Sequence, residues 1–332
     1  MTNKLIALFL LTGNIAFAQS KTAATRFDEF VNTRKITWAA YASDTINFTR
    51  VDFNNLLLSR LGKKEIKASL PIEIRAGSAN QITYTILDSI DKAFYGDNAD
   101  IMMNSEGNEV SVKRAIPKKD SSNFKITEVT QILYIENGKL KSYVPFVTPA
   151  LPVFMSTGNY IGERFYFTSC FNYSYKNKPR NTNKLIFLKQ TKKLINIQTP
   201  QRTEQLKEMY GKNLLEAIWP SVLKNEIEVF SFDRNMKLKP EELNSELVYD
   251  QPKIVPIYDS TSRSTVLKYN IVFEPINPGQ FNLVQLIQDW YYDQRKNKVY
   301  SNTREMILYL TKFNKTEQKD PEPVLRLIFK QQ

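Results

Sequence analysis

The sequence predicts an α+β fold: two related antiparallel-sheet domains with a few short helices, arranged as a tandem duplication. Three observations predict it. Apolar content of 42%, with 20 Phe, 17 Tyr and 3 Trp, is enough for real cores in a chain of 332 residues. Phe124–Tyr143 (FKITEVTQILYIENGKLKSY) aligns without a gap to Phe281–Tyr300 (FNLVQLIQDWYYDQRKNKVY), sharing Phe124/Phe281, Gln131/Gln288, Tyr134/Tyr291, Lys139/Lys296, Lys141/Lys298 and Tyr143/Tyr300. Similar segments flank that block in the same order. Upstream, one inserted residue aligns Tyr41 with Phe230, Asp44 with Asp233, Phe53 with Leu243 and Leu57 with Leu247; downstream, Gly162–Phe167 resembles Val324–Phe329, setting Arg164 against Arg326. Two units of this kind make two similar domains rather than a solenoid. The competing explanation is convergence of two similar β-hairpins.

The elements follow in order. Met1–Ala18 has one lysine, an apolar run at Leu5–Leu11 and the small-x-small site Ala16-Phe17-Ala18, which reads as a cleavable export signal. It is too short to span a membrane, and no later run approaches the roughly 20 apolar residues a span needs. Lys35–Ala42 reads as a strand, and Thr49–Asp52 as a cap for a helix Phe53–Leu61 that Gly62 ends. Ile66–Leu87 offers further strands, with Ile82–Leu87 the clearest. Gln131–Ile135 and Leu140–Val147 flank Asn137-Gly138, the strongest short hairpin signal, and Pro149 and Pro152 are expected to end that hairpin. The alignment then predicts a second hairpin over Leu286–Leu310, its tip at Lys296-Asn297. Arg164–Tyr175 and Leu185–Ile197 are strand-like, while Thr199–Gly211 looks like a helical linker between Pro200 and Gly211. In the second half, Lys239-Pro240-Glu241-Glu242 opens a helix through Leu247 with acids in its first turn. After the polar tail Lys315–Pro323, Val324–Phe329 adds a last strand. The expected organisation is 1–18 signal, 19–200 first repeat and 201–332 second repeat.

Composition narrows the chemistry. There is no histidine and one cysteine, Cys170, which removes His-based acid–base catalysis, thiolate metal sites and internal disulfides, and leaves Cys170 as a small buried hydrophobe. No Gly-rich phosphate loop is present, and no cofactor is expected. Asp289 and Asp293 flank Trp290-Tyr291-Tyr292. Four strand residues at about 3.3 Å each separate those two acids by about 13 Å, beyond the roughly 5–9.5 Å of glycosidase carboxyl pairs. The plain reading of both is surface acids near a turn. Strand alternation sends Trp290 to the core, like its counterpart Leu133, and turns Tyr291 and Tyr134 to the other face as surface candidates; of Phe165-Tyr166-Phe167, at least one leaves the core.

Formal charge is +12; losing Lys4 with the signal leaves 45 − 34 = +11. Seven of the positive charges lie in Lys176–Lys193, with no acid among them. In an exported protein such a segment suits an anionic membrane surface or an acidic protein face rather than nucleic acid, with an edge strand guarded by lysines as the plainer alternative.

Leu214–Asp233 (LLEAIWPSVLKNEIEVFSFD) and Leu286–Leu310 (LIQDWYYDQRKNKVYSNTREMILYL) resemble the gliding-motility and type IX secretion proteins GldN and PorN. That family's pattern is a short helix leading to a strand and an acidic turn, then an acid-x-Trp-x-aromatic-Asp strand, a basic turn and an Arg-led strand. Asp289, Trp290, Tyr292, Asp293 and Arg304 take the motif positions, and Lys35–Asp44 carries a weaker version. The resemblance implies a non-enzymatic periplasmic component of a secretion and gliding apparatus, whose relatives associate with an outer-membrane lipoprotein. The motif positions Trp290, Tyr292, Asp293 and Arg304, with Tyr291 turned outward by alternation and Lys189, Lys192 and Lys193 of the basic segment as a flank, make up the candidate interface. The competing class is a secreted glycan- or cell-wall-binding module or a carboxylate-dependent hydrolase.

Overall fold

Short helices punctuate long antiparallel strands in the computed structural model, which describes residues 27–32, 35–48, 52–71, 83–95, 99–103, 105–115, 124–155, 158–171, 185–197, 206–211, 213–248, 253–261, 264–281, 283–310 and 320–329. The first half contains α1 (Phe27–Asn32), β1 (Ile36–Asn47), α2 (Phe53–Gly62), β2 (Ala68–Ser69), α3 (Tyr84–Tyr95), β3 (Ala99–Met103), β4 (Glu109–Ala115), β5 (Ile126–Glu136), β6 (Lys139–Met155), β7 (Tyr160–Phe165) and β8 (Thr168–Cys170). There follow β9 (Leu185–Asn196), β10 (Leu206–Tyr210), α4 (Leu214–Leu223), β11 (Glu228–Ser231), β12 (Lys237–Leu238), α5 (Pro240–Glu246), β13 (Lys253–Tyr258), β14 (Val266–Val272), β15 (Leu283–Asp293), β16 (Lys298–Leu310) and β17 (Glu322–Ile328). The expected export signal, residues 176–184 of the basic segment and residues 199–205 of the expected linker lie outside the described residues.

A first sheet runs β10-β1-β5-β6-β4-β3, with β7 and β8 also on β6 and β2 on β8; a second runs β12-β11-β17-β16-β15-β9. All these pairings are antiparallel. The expected character, antiparallel sheets with few short helices, is what the chain forms. β9 pairs along its length with β15 of the second sheet, although it precedes the expected linker, and β10 returns to pair with β1.

The inner faces of the two sheets meet. One apolar cluster joins Trp38, Leu133 and Ile135 to Val284, Leu286, Met306 and Leu308. Another joins Val129, Val144 and Val147 to Leu188, Trp290 and Tyr292. Between these clusters lies a polar seam. Gln131 and Gln288, each 2% exposed, exchange amide hydrogen bonds at 3.0 and 3.1 Å. Ser142 and Ser301 meet through their hydroxyls at 2.6 Å, Ser301 also donates to Gln131 Oε1 (3.0 Å), and Gln288 donates to Thr303 (3.3 Å).

These contacts join residues in equivalent places. Gln131 and Gln288 are the aligned glutamines; Ser142 sits opposite Leu133 on its hairpin, and Ser301 opposite Trp290, the aligned partner of Leu133. Both hairpins also shift register at the same aligned step, between Thr130 and Ile132 and between Ile287 and Gln288. The hairpins thus pack about a local two-fold axis. Each tip is covered by a helix from the other half. Asn137 and Gly138 turn with φ of 53° and 71°, and a Cβ on Gly138 would come 2.2 Å from Ser221 Oγ of α4. At the second tip, Asn297 (φ 48°) donates to the Glu65 carbonyl (3.3 Å), and Phe53 of α2 meets Tyr292 edge-on at 5.5 Å.

Several local expectations are corrected. The upstream aligned blocks do not take equivalent places: β1 lies beside β5, whereas β11 lies between β17 and β12, and the strand beside β15 is β9. Arg164 and Arg326 face Leu151 and Ile307, which the hairpin alignment does not pair. Apolar spacing in a short strand selects a buried face and leaves the neighbour open. Of the expected strand Ile82–Leu87, Ile82 lies outside the described residues and 83–87 is not a strand but leads into α3, where Asp88 and Lys92 pair at i,i+4 (3.0 Å) and Leu87 is buried. Leu206–Tyr210 is a strand rather than a helical linker, and Gly211 (φ 88°) passes so close to β1 that a Cβ would lie 2.4 Å from the Thr37 carbonyl oxygen. Pro149 and Pro152 do not end the hairpin: β6 continues to Met155, and the Pro149 carbonyl accepts from the Tyr166 N–H at 2.8 Å.

Candidate interaction surface on the second sheet

Alternation along β15 sorts the candidate residues by face. Trp290 and Tyr292 are fully buried between the sheets. The Trp290 indole donates to Thr191 Oγ1 of β9 (2.9 Å), and the Tyr292 hydroxyl to Asn297 at the hairpin tip (2.9 Å). Two of the expected interface residues are therefore core residues with satisfied polar ends.

Tyr291 points the other way, half-buried, with its ring edge-on to Phe187 of β9 at 5.5 Å. Beside it Asp289 is 3% exposed. Its carboxylate accepts from Gln190 Nε2 (2.9 Å) and the Tyr291 hydroxyl (3.5 Å), and stands 3.6 Å from Arg304 Nε. The Arg304 side chain itself is half exposed. Burial first, then the Asp289 charge, raises the Tyr291 hydroxyl above its usual pKa, while Arg304 opposes them. Asp293 is buried too, its Oδ1 accepting the Arg295 and Lys296 N–H groups (3.0 and 3.1 Å) and closing the turn. The two acids are thus not surface residues: β9, β16 and the turn bring donors to them, which lets carboxylates sit under cover. Their oxygens are directed at separate partners.

The aligned tyrosine of the first sheet has a different fate. Tyr134 is buried, not exposed, because α1 lies over it; Phe30 meets Tyr134 edge-on at 5.1 Å and stacks on Tyr143 at 5.7 Å. Ile132, the aligned partner of Asp289, joins that apolar cluster. An isoleucine under a helix on one sheet corresponds to a hydrogen-bonded acid beside solvent-facing groups on the other.

The basic flank divides by face. Lys189 donates to the Asn47 carbonyl (3.0 Å), and Lys193 donates to the Ser43 carbonyl (3.0 Å) and pairs with Asp44 (2.8 Å). Both tie β9 to β1, so the charge of Lys193 is compensated within the chain. Lys192 is exposed. Cys170 is half-buried, with burial pushing its thiol up to about 11, which suits an inert packing residue. Phe165 is the partly exposed member of its trio, beside buried Tyr166 and Phe167.

Residues 181–331 match the family model described as gliding motility associated protein GldN. The second half of this chain matches GldN. The matched span opens just before β9 and runs past β17, taking in every strand of the second sheet as well as β10, β13 and β14. No curated protein matches the chain. Within the GldN-matching half, the helix–strand–acidic-turn segment is α4, β11 and the turn at Asp233, and the second motif segment is the β15–β16 hairpin. Trp290, Tyr292 and Asp293 serve its core and its turn. The Asp289–Arg304 pair faces outward with Tyr291. Phe187 and Gln190 complete that surface but were not legible in the sequence, because they reach it through the pairing of β9 with β15.

Proposed function

We propose that the chain is a non-enzymatic periplasmic component of a gliding-motility and type IX secretion apparatus, acting by protein–protein contact at the outer membrane. The match of residues 181–331 to GldN carries this reading. The N-terminal segment supports export. The partner would be an outer-membrane lipoprotein or another subunit of the apparatus, and its docking surface Tyr291, Phe187 and Arg304 on the outer face of the second sheet. Tyr and Arg are the residue types that most often dominate binding energy. Asp289 holds both in place before a partner arrives, which lowers the entropy lost on binding. We read the paired hairpins as a tandem duplication in which the first copy lost its outer face to α1 and the second kept it. Lys192, with residues 176–184, supplies positive charge toward an acidic partner or anionic lipid.

Pull-down of the tagged chain from native envelopes in mild detergent tests this. The expected result is co-purification of an outer-membrane lipoprotein or a secretion-apparatus subunit. Recovery of no envelope protein, with retention on peptidoglycan or a glycan array instead, would overturn it in favour of a cell-wall-binding module.

A further inference from the structure

β13 and β14 form a two-stranded sheet of their own. Its base is fixed by the Val248–Pro275 bridge and by the Ile276 N–H bonded to the Leu247 carbonyl at 2.7 Å, with a Lys253–Glu274 ion pair beside them. Ile254 lies opposite Ile271 and Pro256 opposite Tyr269. Alternation adds Tyr258 and Leu267 to the same side, so one face of this hairpin is uncharged and apolar. Ile254, Tyr258, Leu267, Tyr269 and Ile271 are between 50 and 68% exposed. The reverse face is mixed, setting Lys253, Lys268 and Asn270 among Val255, Ile257 and Val272.

A lone two-stranded hairpin is marginal in water. Side chains of these types at these exposures present on the order of 600 Å², the upper end of the largest apolar patch a monomer ordinarily leaves open. We propose that this hairpin is a self-association arm, its Ile254/Tyr258/Leu267/Tyr269/Ile271 face packing on the same face of a second copy of the chain. A flat uncharged face complements itself, and an isologous contact buries it twice, about 1,200 Å² in total, the lower bound for a stable complex. Pro256 stands mid-strand without an N–H to donate, which disfavours edge pairing along β13. Over residues 248–275 the charges balance, Lys253, Arg263 and Lys268 against Asp250, Asp259 and Glu274, so the arm has no net charge directing it to anionic lipid. The chain already packs one hairpin on another about a two-fold axis at Gln131 and Gln288. The arm proposal is independent of the Tyr291 surface.

Sedimentation velocity of the purified chain across a concentration series tests it. A reversible dimer is expected, and Tyr269→Lys combined with Ile271→Lys should weaken it at least about 30-fold. Because both side chains are exposed, circular dichroism and Tm should stay as in the wild type, and Lys268→Ala on the reverse face should leave the dimer unchanged. A wild type that stays monomeric, or a dimer that tolerates the double lysine variant, would overturn the proposal. So would a monomer that binds phosphatidylcholine vesicles through the arm, since the occupant would then be lipid.

Discussion

Gln131 and Gln288 answer each other's hydrogen-bonding needs inside an apolar core, each lending Nε2 to the other's Oε1, with Ser301 and Thr303 taking part of what remains. Replacing one by leucine strands the other, and a buried unsatisfied amide costs about 1–3 kcal/mol. Gln131→Leu and Gln288→Leu should each lower stability by that amount, while the double variant loses less than their sum. Urea unfolding of the four proteins, read as a double-mutant cycle, measures the coupling; strict additivity would mean the seam is not a unit. Lys298 offers a second residue-scale check. It lies beneath the rings of Tyr143 (5.4 Å) and Tyr300 (5.6 Å). Burial, then the nearby charge of Lys296, pulls its ammonium down to about 8. The folded pKa lies below the unfolded one of about 10.4, so the unfolded chain holds more protons between them. The cost of the buried charge is therefore full below about pH 8 and is relieved as pH rises toward 10. Tyr292 and Tyr300, both pushed up to about 12 by burial, erode stability only above their ordinary value of about 10. The Cys170 thiol, pushed up to about 11 by burial, opposes this gain above its ordinary value of about 8.5, so the check is the difference between two proteins: Lys298→Met should be more stable at pH 7, and its urea midpoint should fall relative to that of the wild type between about pH 7.5 and 9.5. An unchanged slope would mean that Lys298 does not titrate there.

Strand β9 is where charge and architecture meet. Lys189 and Lys193 reach across to β1 carbonyls, and Lys193 also pairs with Asp44 where its side chain is only 12% exposed. Lys189→Gln with Lys193→Gln should cost roughly 1–3 kcal/mol, as lost charged hydrogen bonds do. Lys192→Gln should leave stability alone and flatten any salt dependence of envelope association. Sedimentation with envelope fractions at low and high salt, paired with urea melts, separates the two roles; a stability loss in the Lys192 variant would contradict the assignment. The hairpins were legible because Asn137-Gly138 is a turn by its own chemistry and Phe281–Tyr300 aligns to the segment that carries it. Helix α5 was legible because Pro240 suits a first turn and Glu242 returns to the Lys239 N–H (2.7 Å). What could not be read was neighbourhood. β10 is a strand because β1 offers it an edge, and β11 goes to β17 rather than to the place β1 holds, both outcomes set by residues far along the chain. At the site the same limit applies. The outward turn of Tyr291 follows from alternation alone, whereas the burial of Asp289 depends on Gln190 and Arg304, brought in by two different strands.

Across the whole molecule, two similar hairpins share one core and face outward onto different surroundings. The first sheet spends its outer face on α1, where Phe30 wedges against Tyr134 and Tyr143. The second leaves Tyr291 and Arg304 partly exposed within the half that matches GldN. The central claim is that this asymmetry makes the second sheet the docking side. It is tested most directly by placing a photo-crosslinking amino acid at position 291, and separately at 134, in the exported chain, and identifying the adducts from native envelopes by mass spectrometry. The predicted result is an adduct with an outer-membrane lipoprotein or a secretion-apparatus subunit from position 291 and none from position 134. Adducts from 134 alone, or equal labelling from both positions, would contradict it.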